Sequence, residues 1–119
     1  MKDLIKQLRE QRMTWVELEP GKEVRTIRPT EVDLVSHFSK GKSLSMGFEE
    51  AAKYVVDWRG ITEADLLGSA VGSADPVPFT KELWAEVAAD KLDWVNTVVQ
   101  SLVKQLVERK EAQDQDSKN

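Results

Sequence analysis

Val55-Val56-Asp57-Trp58-Arg59-Gly60, answered further on by Pro76-Val77-Pro78-Phe79-Thr80, is the stretch on which the fold turns. Between the two lies Ile61 to Asp75, rich in Gly, Ser, Ala and Asp, with one apolar pair at Leu66-Leu67. A connection longer than about 12–15 residues is uncommon inside a domain and is usually functional or mobile. Residues 59–79 therefore read as one large loop held between structural anchors: Trp58 and Gly60 on the near side, Phe79, Thr80 and Trp84 on the far side.

Downstream, Thr80 has the side chain of an N-cap and Glu82 falls in the first turn, where the helix dipole favours a carboxylate. Phe79 is spaced to pack on Trp84 as a hydrophobic staple. Leu83, Trp84, Val87 and Ala88 continue the helical period, and Asp90 with Asp93 marks either a kink or a second helix start. From Leu92, the residues Val95, Val99, Leu102 and Leu106 recur at three and four, and Trp94, Val98, Val103 and Val107 widen the stripe. A stripe that wide faces a core, and any excess faces another subunit. From 109 to 119 the composition is that of a disordered polar tail.

Upstream, Phe48, Ala51, Ala52, Val55 and either Val56 or Trp58 predict a helix from Met46 or Gly47 that Gly60 closes. Thr30 is an N-cap for a shorter helix bearing Val32, Val35 and Phe38, which Gly41 ends, and Lys42 to Ser45 connect the two. Before these, residues 14–18 and 24–28 alternate around Glu19-Pro20-Gly21-Lys22, the signal of a type II turn. They predict a β-hairpin with Trp15 or Ile27 as its anchor on the helices. Residues 1–12 form an N-terminal arm or short helix with Leu4, Ile5 and Leu8 on one side. The fold class that follows is mainly α, or α+β with a small N-terminal β-hairpin, a compact helical domain of about four helices over 13–108.

Composition narrows the function. At 119 residues, 40% hydrophobic and 32% charged, the chain is a single globular domain. A net charge of −4 without a basic stripe argues against nucleic acid. No apolar run reaches the length of a membrane span and no signal peptide is legible, so a soluble intracellular protein is expected. With no Cys and a single His, His37, chelation of a transition metal by imidazole or thiolate pairs is excluded within one chain. Glu49-Glu50 and Glu63 with Asp65 are carboxylate pairs that read as solvated charge. Gly68 to Ser73 lacks the Gly-Lys-Ser/Thr end of a phosphate loop. No catalytic residue, metal or cofactor is therefore expected. Leu66, Leu67 and Val71 in the loop, and Trp94, Val98 and Val103 on the last helix, either meet a partner or tuck onto their own domain.

The run Val55 to Gly60, then Pro76-Val77-Pro78-Phe79-Thr80 and a Trp-bearing helix, resembles the tail assembly chaperones of long-tailed bacteriophages and prophages. In that family a Trp-x-Gly, a variable segment and a Pro-Val-Pro-Phe-Ser/Thr recur, after a similar hairpin with Pro-Gly at its turn. The resemblance implies a non-enzymatic protein of the host cytoplasm, absent from the mature virion. It implies that the chain binds the tape measure protein, helps to recruit tail tube subunits and self-associates. It implies too that an extended form can arise by programmed ribosomal frameshifting. The alternative is a structural or adaptor protein of the particle, for tail or head completion.

Overall fold

Pro20 and Gly21 turn the chain between strands β1 (Met13–Glu19) and β2 (Lys22–Ile27), with Gly21 at φ 81° in the region a type II turn requires. The strands pair antiparallel from Met13↔Ile27 to Glu19↔Lys22. A type II turn matches the twist of paired strands poorly, and the register shifts between Glu17 and Glu19, beside the turn, where a bulge adds twist. The expected hairpin is present. The computed structural model that shows it describes residues 3–33, 39–40, 43–44 and 46–117.

β2 is the central strand of a three-stranded antiparallel sheet in the order β1, β2, β5, and β5 is Val55–Arg59. This corrects the helix expected from Met46 or Gly47 through Trp58. The helix there, α3, covers only Phe48–Ala52, and Gly60 follows a strand. Arg25 pairs with Asp57 but Thr26 pairs with Val55, so Val56 is an inserted residue. The bulge brings Val55 and Trp58, three apart, to the same buried face. That spacing imitates a helical stripe, whereas an unbulged strand would have shown a period of two. The sheet is thus not confined to the N-terminal hairpin.

The face of the sheet turned toward the helices carries Val16, Val24, Thr26, Val55 and Trp58. Thr26 is fully buried and its hydroxyl donates to Thr14 O at 3.4 Å. Trp15, one of the two expected anchors to the helices, is instead on the other face. Its ring lies under the guanidinium groups of Arg59 at 4.0 Å and Arg25 at 5.7 Å. Successive residues of a strand point to opposite faces, and Val16 occupies the inward one.

Six helical segments occur among the described residues, more than the four expected. α1 (Asp3–Glu10) is exposed along its length, and Leu4, Ile5 and Leu8 remain in water. α2 (Glu31–Asp33) starts at Thr30, whose hydroxyl accepts from Asp33 N while Asp33 Oδ2 accepts from Thr30 N, a reciprocal cap. Val35, His37, Phe38, Gly41, Lys42 and Ser45 lie outside the described residues. Ser39–Lys40 (β3) pairs antiparallel with Ser43–Leu44 (β4), so Lys40 is not the end of a helix and the expected connector contains a strand. Ser is a weak helix former, which favours this outcome.

α5 (Lys81–Asp90) begins at Thr80, whose hydroxyl accepts from Leu83 N at 3.0 Å as expected. Phe79 and Trp84 both set their rings edge-on against Trp58, at 5.4 and 6.5 Å between centroids. Lys91 interrupts the helical dihedrals, and its carbonyl accepts the first bonds of α6 (Leu92–Ser117) from Trp94 N and Val95 N. Of the alternatives at Asp90, two helices with a short break is the one formed. α6 lies across the sheet and α3, burying Trp94, Val95, Val98, Leu102 and Leu106. It runs through Arg109 to Ser117, where a tail was expected. The Arg109–Glu31 pair at 2.8 Å and a run of good helix formers support the extension.

The segment expected as one large loop contains a helix and a bridge. Thr62 caps α4 (Glu63–Leu67) in a capping box with Asp65, so Asp65 is a capping carboxylate and not only solvated charge. Thr62 bridges to Pro76, Glu63 N donates to Asp75 O, Ala64 N to Ser73 O, and Val77 N to Ile61 O. Lys22 reaches Asp65 at 3.4 Å and ties the hairpin to this loop. Burial acts to raise the Asp65 pKa, but bonds from Thr62 and the charge of Lys22 outweigh it and hold the carboxyl below its usual value. A depressed folded pKa gives stability that is present above the unfolded value of about 3.9 and is lost as pH falls through the folded one. Asp65→Asn is therefore expected to be destabilised relative to the parent at pH 7, with the gap closing below about pH 4. Urea denaturation at a series of pH values measures it.

Candidate docking groove

Two short structural choices create a concave apolar surface. The first is the early end of α3. Trp84 Nε1 donates to Ala52 O at 2.8 Å, satisfying a carbonyl left over at the helix terminus, and Tyr54 N closes on Ala51 O. Ala51 is fully buried, while Phe48 at the start of α3 is half exposed. The second is the run of small residues on α5. Ala85, Ala88 and Ala89 fall at i, i+3 and i+4, on one side of the helix, and reach little beyond the backbone.

Between α3, α5 and the start of α6 this leaves an open groove of about 680 Å³. Its floor is Ala52, Val55, Trp84 and Val95, its α5 wall the three alanines, and Phe48 and Leu92 stand at its lips. Leu92 is 60% exposed. The charged groups along it, Glu49, Lys53 and Lys81, carry both signs. A small-molecule site of similar size has convergent polar groups that fix orientation. Here the walls are predominantly aliphatic and aromatic, which suits the apolar side of a helix. Small residues on the wall let a partner backbone approach closely.

The residues expected to meet a partner are scattered. Leu67 and Val71 are exposed on the 61–75 segment, Leu66 packs against the core, and Val103 is half-buried. Trp94 and Val98 are interior: Trp94 Nε1 donates to Glu19 Oε2 at 2.8 Å and Val98 is fully buried. Of the two alternatives both take the core and neither can meet a partner, because α6 turns this edge of its stripe onto the sheet and α3. None of the six lines the groove. Phe48, Ala85, Ala89 and Leu92 were missed as a set. The signal available was the alanine run on α5, which leaves space between Trp84 and Leu92.

Among the described residues no three His, Cys, Asp or Glu side chains gather at metal-holding distance. No helix among them is long and apolar enough to cross a membrane. Comparison with protein-family models, with curated proteins and with solved structures finds no match to this chain.

Proposed function

We propose that this chain is a non-enzymatic assembly chaperone for the tail of a long-tailed phage or prophage, acting in the host cytoplasm and leaving before the particle matures. In this reading the groove between α3, α5 and α6 holds an apolar helical stretch of the tape measure protein, keeping it from aggregating while tail tube subunits are recruited. The observation that carries it is the groove itself, an apolar trough with alanine walls and exposed Phe48 and Leu92 at its lips. The Trp58-Arg59-Gly60 and Pro76 to Thr80 motifs support the same reading through their resemblance to that family.

Co-expression with the tape measure protein encoded alongside it is expected to raise the solubility of that protein and to give a co-purifying complex. Phe48→Asp and Ala89→Arg alter exposed lining residues, so folding by circular dichroism should be unchanged while the complex is lost. A tape measure protein that never associates, or that associates equally with both variants, overturns the proposal. Mass spectrometry of purified particles separates the alternative: a structural or adaptor protein would be present in stoichiometric amount.

A further inference from the structure

Farther along α6, at Arg109, a second surface has the opposite character. Arg9, Arg12, Arg28 and Arg109 converge with Ile5 and Leu8 around a cavity of about 580 Å³. Val95 of the groove and Arg109 lie fourteen residues apart on one helix, or about 21 Å at 1.5 Å per residue. The two surfaces are therefore distinct.

The cluster is built by the hairpin. Beyond the last ladder pair, Met13↔Ile27, Arg28 N donates to Arg12 O at 2.8 Å, which sets two arginines opposite each other across the strands. Like charges directly opposite in an antiparallel pair are destabilising. α1 adds Arg9 from one side and α6 adds Arg109 from the other. Among the described residues one ion pair meets this group, Arg109 with Glu31. Arg28 uses one N–H on the neighbouring Pro29 carbonyl at 2.8 Å. Burial lowers the Arg28 pKa, and the charges of Arg109 and Arg12 lower it further against the pull of Glu31. A net charge of −4 makes such a concentration of cations conspicuous. Beside it Ile5 is 71% and Leu8 54% exposed.

We propose that these four arginines and the apolar side of α1 form a docking site for an acidic amphipathic helix of a partner protein. Its carboxylates would take the guanidinium forks, which match carboxylate geometry bidentately, and its apolar side would cover Ile5 and Leu8. Charge complementarity selects this occupant. A phosphate backbone offers nothing to the apolar residues, and a long polyanion is repelled by the acidic remainder of the chain. The site lies away from the groove, so a partner held here can be present together with a client held there.

The test uses the full chain and a fluorescein-labelled helical peptide with leucines on one side and glutamates flanking them. Anisotropy is expected to show binding that weakens with salt. Arg9→Glu with Arg12→Glu should weaken it by about tenfold or more, and Ile5→Ser with Leu8→Ser should weaken it independently. Phe48→Asp in the groove should leave it unchanged. The arginine variant relieves a like-charge pair, so its thermal midpoint should be no lower than that of the parent. If it fails to fold, Arg9→Gln alone, on the exposed helix, carries the same test. Equal binding by the charge-altered chain, equal binding of a peptide with glutamine in place of glutamate, or displacement of the peptide by a single-stranded oligonucleotide overturns the proposal.

Discussion

Trp58→Ala is expected to lower the stability of the chain by about 3–5 kcal/mol, the range for truncating a large buried aromatic. A domain of this size has about 5–15 kcal/mol in total, so the variant gives up a large fraction of its stability. Trp58 is 5% exposed and is the point where three elements meet. It belongs to β5, it receives the rings of Phe79 and Trp84 edge-on, and its Nε1 donates to Val77 O at 2.6 Å. Truncation opens a cavity under the sheet and frees both ends of the 61–77 segment from their shared support. Trp58→Phe separates the contributions. It keeps an aromatic ring but leaves the Val77 carbonyl without its donor, so a loss of about 1–3 kcal/mol is expected. Urea denaturation followed by far-UV circular dichroism gives both values. A Phe variant as damaged as the Ala variant would show that the hydrogen bond outweighs the packing.

The same residue shows how far the sequence could be read. Its anchoring role was legible because a Trp two residues before a Gly, and a Pro-Phe-Thr before a helix, have meanings that do not depend on the rest of the chain. The hairpin at Pro20-Gly21 and the caps at Thr30 and Thr80 were legible for that reason too. What local signals could not carry was the element around Trp58. A bulge at Val56 gives Val55 and Trp58 helical spacing within a strand, and whether a strand forms depends on β2 offering it hydrogen bonds from residues 29 to 36 positions away. The groove was hidden similarly. Its floor is assembled from α3, β5, α5 and α6, and only the early end of α3, fixed by the bond from Trp84 to Ala52, brings those residues together. Trp94 and Val98 were placed on the right stripe, but periodicity does not say which edge of a wide stripe meets the core.

Gly60→Ala is the other substitution with a large expected effect, about 2–5 kcal/mol, and Gly21→Ala is its control. Both glycines have positive φ, 77° and 81°, a conformation that costs an L-residue roughly 1–2 kcal/mol. Gly21 sits at the hairpin turn with nothing within 4 Å of where a Cβ would stand, so its substitution carries the conformational cost alone. A Cβ on Gly60 would collide with the carbonyl oxygen of Gly21, which is backbone and cannot rotate aside. Either the end of β5 or the hairpin turn must shift. Arg59 pairs with Glu23 in the ladder and stacks on Trp15, and Trp58 precedes it, so movement at Gly60 is transmitted directly into the sheet and the aromatic cluster. Thermal or urea unfolding of the two variants side by side distinguishes the two costs. Equal losses would mean that the close approach of the two backbones does not persist in solution. A distinctly larger loss at Gly60 would establish why Trp58-Arg59-Gly60 ends in glycine: the strand must pass the hairpin turn at a distance that admits no side chain.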